Sequence, residues 1–202
     1  VAVKSGRTAA GKRAAGSHTA ALAASDVAVD ALFHQTGVIR ASSLEEMFDL
    51  AAALDTQPLP PGPRVGILTN AGGPAILCAD ACESHGLLLP HFSDETRRQL
   101  AQILAPEASL ANPVDMIASA GPEQYRRAAE ILLMAPEVDS LVVINIPVSF
   151  AEMPATREAI ADGVMKARNR GMTDKPVLAC LLTEGGTPEP ITCGSEILPA
   201  YA

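Results

Sequence analysis

The sequence predicts an α/β protein: a flavodoxin-like parallel sheet with helices on both faces, preceded by a partial domain. Three observations carry this expectation. From residue 64 to residue 183, apolar strand-like runs alternate with helix-periodic segments, a pattern that calls for βαβ crossovers and a parallel sheet. Aromatic residues make up only 3% and Trp is absent, which suits small-residue helices packed closely on a sheet better than a β-sandwich. The 202 residues, 48% of them hydrophobic, suffice for one sizeable core, or for one domain with a docking segment.

The first four residues, VAVK, alternate in polarity and predict a short strand, the last of a sheet whose earlier strands precede this sequence. The sequence thus reads as a piece of a larger protein. Residues 5–17, SGRTAAGKRAAGS, read as a basic loop punctuated by glycine. From Thr19 to Gln35 the spacing of Leu22, Val29, Leu32 and Phe33 predicts a helix, interrupted near Ser25 and Asp26, which puts His18 at a helix entrance. GVIR at 37–40 predicts a brief strand. SSLEEMFDLAAAL then predicts a helix, with Ser42 or Ser43 as N-cap, Glu45 or Glu46 three residues on, and Leu44, Met47, Phe48 and Ala51 on one face. QPLPPGP at 57–63 can neither continue a helix nor enter a sheet interior. It divides the chain into the end of a first domain (1–57), a linker (58–63) and a second domain (64–202).

In the second domain RVGILTN (64–70) predicts a strand, GGPAILCADACESHG a helix ending at Gly86, LLLP a strand, and SDETRRQLAQIL a helix capped by Ser93. ANPVDM predicts a short strand or turn, PEQYRRAAEILLM a helix opened by Pro122, VDSLVVINI a buried strand, and residues 151–170 a further helix. PVLACLLT (176–183) is the strand expected to close the series. The loops that leave the carboxyl ends of such strands converge on one edge, where ligands belong.

Charge and composition narrow the partners. A formal net charge of −8 argues against a nucleic-acid footprint, which needs a surplus of Lys and Arg on one face. No apolar run reaches the roughly 18–20 residues of a membrane helix, and the N-terminus lacks the order of a signal peptide. The expectation is a soluble, cytoplasmic protein with no membrane partner. Cys78, Cys82, Cys180 and Cys193 form no CxxC pair and no metal-ligand spacing with His, so no metal site is expected and the thiols read as reduced. Cys78 and Cys82, four apart in an Ala-rich helix, read as small core residues.

Several residues at the expected ligand edge could carry chemistry. Gly72 and Gly73 let backbone approach an anion at a helix N-terminus, with Pro74 wasting no donor; a tight strand-to-helix turn wants glycine equally. The segment is neither GxGxxG nor a Walker A loop. Asn70 precedes it. Asn112 and Asp115 bracket an Asn-Pro-Val-Asp turn whose side chains could simply satisfy local backbone. Pro147, Val148 and Ser149 form a third loop, in which Ser149 could be only an N-cap. His34, His85 and His91 read as surface histidines. His18 differs: flanked by Ser17 and Thr19 in a loop with Gly and Arg, its imidazole could accept a phosphoryl group as a nucleophile, with hydroxyls and helix N-termini stabilising it. A helix-capping histidine is the alternative.

The segment KSGRTAAGKRAAGSHTAALAASD at 4–26 resembles the phosphohistidine segment of nucleotide-forming (ADP-forming) acyl-CoA synthetases, relatives of succinyl-CoA synthetase. The similarity continues through GVIRASSLEEMFDLA, GILTNAGGPAILCADACESHGL, ANPVDM and VDSLVVINIPVSF, and so covers nearly the whole chain. The resemblance implies that acyl-CoA, phosphate and ADP interconvert with acid, CoA and ATP through an acyl phosphate and a phosphohistidine at His18. It implies CoA, ATP/ADP and Mg²⁺ as cofactors of the full-length protein. Its partners would be a small-molecule acyl substrate, a CoA-binding domain, an ATP-grasp domain and further subunits in an oligomer. It makes Ser17, Thr19, Asn70, Gly72, Gly73, Asn112, Asp115, Pro147, Val148 and Ser149 the expected acyl and phosphate pocket. One departure stands out: succinyl-CoA synthetase carries a Gly pair where this chain has Pro147-Val148. An alternative role is the acyl-CoA or metabolite sensor of a GNAT-fused protein lysine acetyltransferase, suggested by SHTAALAASD in place of the commoner SHTG.

Overall fold

A computed structural model describes residues 1–16, 25–186 and 188–202. The chain forms two compact units, Val1–Asp55 and Thr56–Ala202.

In the first unit, strands β1 (Ala2–Val3) and β2 (Arg40–Ala41) pair in parallel. Helix α1 (Ala9–Gly16) occupies much of the segment expected to be a loop. The Thr8 hydroxyl accepts the Gly11 N–H at 3.1 Å, an N-cap for a run of good helix formers that one interior glycine does not break. Helix α2 covers Asp26–Thr36 and stops at Gly37, whose φ of 69° is the left-handed geometry of a helix C-terminus. Gly37 therefore ends a helix rather than opening a strand, and β2 starts later than expected. The expected helix from Thr19 lies outside the described residues as far as residue 24. Helix α3 (Leu44–Thr56) has the expected cap: Ser43 Oγ accepts the Glu46 N–H at 3.0 Å, and Glu46 returns the bond to the Ser42 N–H at 2.7 Å.

In the second unit, five parallel strands are ordered β4-β3-β5-β6-β9: β3 (Val65–Thr69), β4 (Val114–Asp115), β5 (Ser140–Asn145), β6 (Val177–Leu181) and β9 (Ala200–Tyr201). Counted from β3 this is the 2-1-3-4-5 order of flavodoxin-like folds. The sheet does not close at β6. Residues 191–198 form an antiparallel hairpin, β7 (Ile191–Cys193) with β8 (Glu196–Leu198), and the chain returns as the edge strand β9. No helix-periodic segment announces this last crossover, because a hairpin replaces the helix.

Alternation along the strands separates two cores. Leu68, Leu141, Val143, Ala179 and Leu181 face helices α6 (Pro122–Met134) and α7 (Met153–Asn169) in the main core, to which α5 (Asp94–Ala101) adds Leu100. Val65, Ile67 and Ile144 face α4 (Gly72–Ser84) on the other side. Helices thus cover both faces. As the spacing predicts, Cys78 and Cys82 share the inner face of α4, in one cluster with Cys180; burial and the two neighbouring thiols push Cys78 up to about 12. The N-cap of α5 is Ser93, which accepts the Thr96 N–H at 3.2 Å. Helices α6 and α7 come unusually close at Gly163, where a Cβ would stand 2.3 Å from the Arg126 carbonyl oxygen.

The expected LLLP strand reduces to a single bridge, Leu88 to Arg64. The outer edge of β3 is shared by three partners. Leu88 O accepts the Val65 N–H at 2.8 Å, the Asn112 side chain takes the next positions, and β4 pairs with Leu68 and Thr69. Every backbone group needs a partner, and no single segment runs the length of the edge. At the opposite end of the sheet, Asp139 accepts the Arg64 backbone N–H (3.0 Å), Nε (2.8 Å) and a terminal nitrogen (2.7 Å), and the Arg64 guanidinium holds the buried Asp139 carboxyl below its usual range.

Candidate active-site edge

The switch point of a 2-1-3-4-5 sheet lies between its first and third strands, here β3 and β5, at their carboxyl ends. Two asparagines build this crevice. Asn70, buried just past β3, accepts the Ile146 N–H at 3.0 Å and donates to the Ile146 carbonyl at 2.8 Å. Both halves of its amide are thus engaged in clamping the loop after β3 to the loop after β5. Asn145 ends β5, and its Nδ2 donates at 3.0 Å to the Tyr125 hydroxyl, which donates at 2.9 Å to the Ile144 carbonyl. Burial pushes the Tyr125 phenol well above its ordinary value, so it stays protonated as a structural donor.

Gly72 opens α4, whose N-cap Ala71 offers no side chain to the first N–H groups. A Cβ at Gly72 would lie 3.1 Å from Asp115 Oδ2, whereas Gly73 has open space around it. The Asp115 carboxylate therefore already stands beside the helix N-terminus, where negative charge is favoured. Its other oxygen accepts the Ile117 N–H at 2.9 Å. Ile117 has φ 61°, a left-handed conformation that a β-branched residue rarely adopts, and such strain collects at functional sites. Asp115 and the carbonyl of Ile117, which accepts the Ala120 N–H at 3.1 Å, hold this turn.

Pro147, Val148 and Ser149 border a small cleft together with Asn70, Asn145 and Thr156. Ser149 precedes a short 3-10 turn (Phe150–Glu152) and makes no side-chain cap bond. Asn112 lies apart from this edge. Its Oδ1 accepts the Ile67 N–H at 3.1 Å and its Nδ2 donates to Val65 O at 2.8 Å, after which a cis peptide leads into Pro113. The edge thus gathers Asn70, Gly72, Asp115, Pro147, Val148 and Ser149; Ser17, His18 and Thr19 lie outside the described residues. His34, His85 and His91 are exposed. Sequence reasoning passed over Asn145. The available signal was an amide ending the apolar run SLVVI, where burial obliges it to find partners.

Residues 65–191 match the model of the Ligase-CoA domain, and residues 1–54 that of the succinyl-CoA ligase like flavodoxin domain. The chain belongs to the ADP-forming acyl-CoA synthetases related to succinyl-CoA synthetase. It is 44% identical to the acetate–CoA ligase (ADP-forming) II subunit alpha of Pyrococcus furiosus, over 90% of this chain and 39% of that protein. It is 33% identical to the 4-hydroxybutyrate–CoA ligase (ADP-forming) of Nitrosopumilus maritimus, over 88% of this chain and 27% of that protein. Among solved structures it is similar to the dinucleotide forming acetyl-coenzyme A synthetase 1 of Ca. Korarchaeum cryptofilum in complex with phosphate and ADP. The TM-score is 0.78 at 31% identity, covering 91% of this chain and 38% of that one. The chain spans about two fifths or less of the length of these relatives.

Proposed function

We propose that this chain supplies the phosphoryl-carrying histidine and an acyl- and phosphate-binding edge to an ADP-forming acid–CoA ligase. The observation that carries the reading is the pair of family matches in tandem, with His18 inside the SHTAALAASD segment of the first. An oxygen of phosphate attacks the acyl carbon and the CoA thiolate leaves. An imidazole nitrogen of His18 then attacks phosphorus and the carboxylate leaves. Finally an oxygen of the ADP β-phosphate attacks the phosphohistidine, releasing imidazole and ATP. Ser17 and Thr19 donate to the phosphoryl group in this scheme, and the α4 N-terminus at Gly72 and Gly73 supplies further donors.

Asp115 stands at the edge of this seat, where its carboxylate accepts the Ile117 N–H and holds the turn beside Gly72. Pro147, Val148 and Ser149 wall the acyl side, while Asn70 and Asn112 act by holding the strands and loops in register. CoA and the nucleotide are held by the remainder of the parent protein. We assign Mg²⁺ to the nucleotide site in that remainder. The relatives named above differ in acid, and a short-chain acid is the substrate class we assign.

The test uses the full-length parent protein with labelled ATP and Mg²⁺. Acid-labile, base-stable label that is absent in His18→Ala and discharges on adding acid plus CoA is the expected result. Acyl-CoA binding without any labelling would instead make this region a sensor of the kind fused to acetyltransferases.

A further inference from the structure

The Tyr125 hydroxyl is a buried polar group that the phosphoryl-transfer scheme leaves unused. Tyr125 lies in α6 and is fully buried, so the phenol is closed to any ligand. Its oxygen nevertheless stands at the carboxyl end of β5, where it donates to the Ile144 carbonyl at 2.9 Å and accepts from Asn145 Nδ2 at 3.0 Å. A hydroxyl carries a single proton, so the two bonds fix each other's direction.

Asn145 depends on this hydroxyl. The residue is buried, and among the described residues its Oδ1 accepts no hydrogen bond. The bond from Nδ2 to Tyr125 therefore sets the orientation of the amide. The next residue, Ile146, is gripped from the β3 side by Asn70, with bonds of 3.0 and 2.8 Å. Pro147, Val148 and Ser149 follow and border the cleft at the edge. This loop has few ties of its own: Val148 is 75% exposed and Ser149 makes no side-chain cap bond. Its placement is thus set by its two anchors, the Ile144–Ile146 segment before it and the buried Met153 at the start of α7.

We propose that Tyr125 is a positioning residue for the acyl side of the edge, acting through Asn145 on the loop Pro147-Val148-Ser149. Its consequence for turnover rests on the ligase reading above; the hold on the loop does not.

The experiment compares the full-length parent protein with Tyr125→Phe, Asn145→Ala and the double variant. Phe keeps the ring and its packing and removes only the oxygen. Tyr125→Phe is expected to raise KM for the acid by up to about tenfold, the worth of one hydrogen bond, with labelling of His18 from ATP unchanged. Asn145→Ala should raise KM by the same factor and the double variant no further, because the two side chains act as one unit. Leu132→Ala, further along α6, should lower Tm and leave KM alone. An unchanged KM in Tyr125→Phe, or single effects that multiply in the double variant, overturns the proposal. Hydrogen exchange at the Ile146 amide separates the two readings, and Tyr125→Phe should speed it by about tenfold through local opening. If the unaltered protein neither labels His18 nor forms acyl-CoA, the ligase reading fails while faster Ile146 exchange still supports the positioning. An unchanged Ile146 amide in an active ligase sinks the positioning alone.

Discussion

Between residues 1 and 55 a single described residue, Ala41, is buried, whereas residues 56–202 bury apolar side chains on both faces of a five-stranded sheet. In the first unit Val27, Leu32, Leu44 and Phe48 stand exposed, by 55% to 77%. What organises this unit is polar: Arg40 bridges Asp26 and Asp30, and Lys4 and Arg7 also approach Asp26. In the second unit polar side chains instead complete a hydrophobic core. Lys175, itself buried, donates to Leu133 O at 2.9 Å and Ala135 O at 2.7 Å and so caps the end of α6. Gln57 ties Val177 and Ile197 together with bonds of 2.7 and 2.8 Å. The contrast separates two ways of ordering a chain. Ion pairs that keep contact with water, as the Asp26 carboxylate does at 25% exposure, contribute little and are screened by salt, whereas buried apolar area and buried hydrogen-bonded amides carry most of the stability.

The largest effect expected from this contrast comes from truncating equivalent leucines. Leu132→Ala in α6, at a fully buried position, is expected to cost about 2–5 kcal/mol in urea unfolding. Leu32→Ala in α2, 55% exposed, should fall within about 0.5 kcal/mol. Equal losses would mean that the first unit is packed against apolar surface in the protein under study.

A smaller effect separates two glycines. Gly163→Ala drives a methyl into the Arg126 carbonyl and should lower stability by about 1–3 kcal/mol. Gly16→Ala at the end of α1 meets nothing within 4 Å and should be neutral or mildly stabilising, by at most about 1 kcal/mol. Thermal denaturation of the two variants side by side checks this, and a tolerated Gly163→Ala would show that α6 and α7 can separate.

The smallest effect is on acid sensitivity. Arg64 lowers the Asp139 carboxyl and Arg40 lowers that of Asp26, in each case chiefly through a side-chain hydrogen bond. A folded pKa below the unfolded value of about 3.9 gives stability that is present above that value and lost as the pH falls through the folded one. Asp139→Asn should therefore flatten the fall in stability below about pH 4, at a cost near neutrality. Because Asp139 is buried, the change should persist in 1 M salt, whereas that of Asp26→Asn should fade. Salt-independent behaviour at Asp26 would contradict a half-exposed, polar organisation of the first unit.

Much of this protein was legible as sequence because local chemistry decided it. Caps at Ser43 and Ser93, the opening of α6 by Pro122, the shared inward face of a buried Cys82 and a half-buried Cys78 and the strand–helix alternation follow from rules that act within a few residues, and the long motifs around His18 and Gly72 carried the family. Tertiary structure decided what depends on distant partners. It made the crossover before β9 a hairpin, divided the edge of β3 among Leu88, Asn112 and β4, set Asp115 beside Gly72, and tied the Asn145 amide to the Tyr125 hydroxyl. Those outcomes hinge on which backbone groups remain unpaired after the sheet has assembled, and a residue's neighbours in sequence do not encode that.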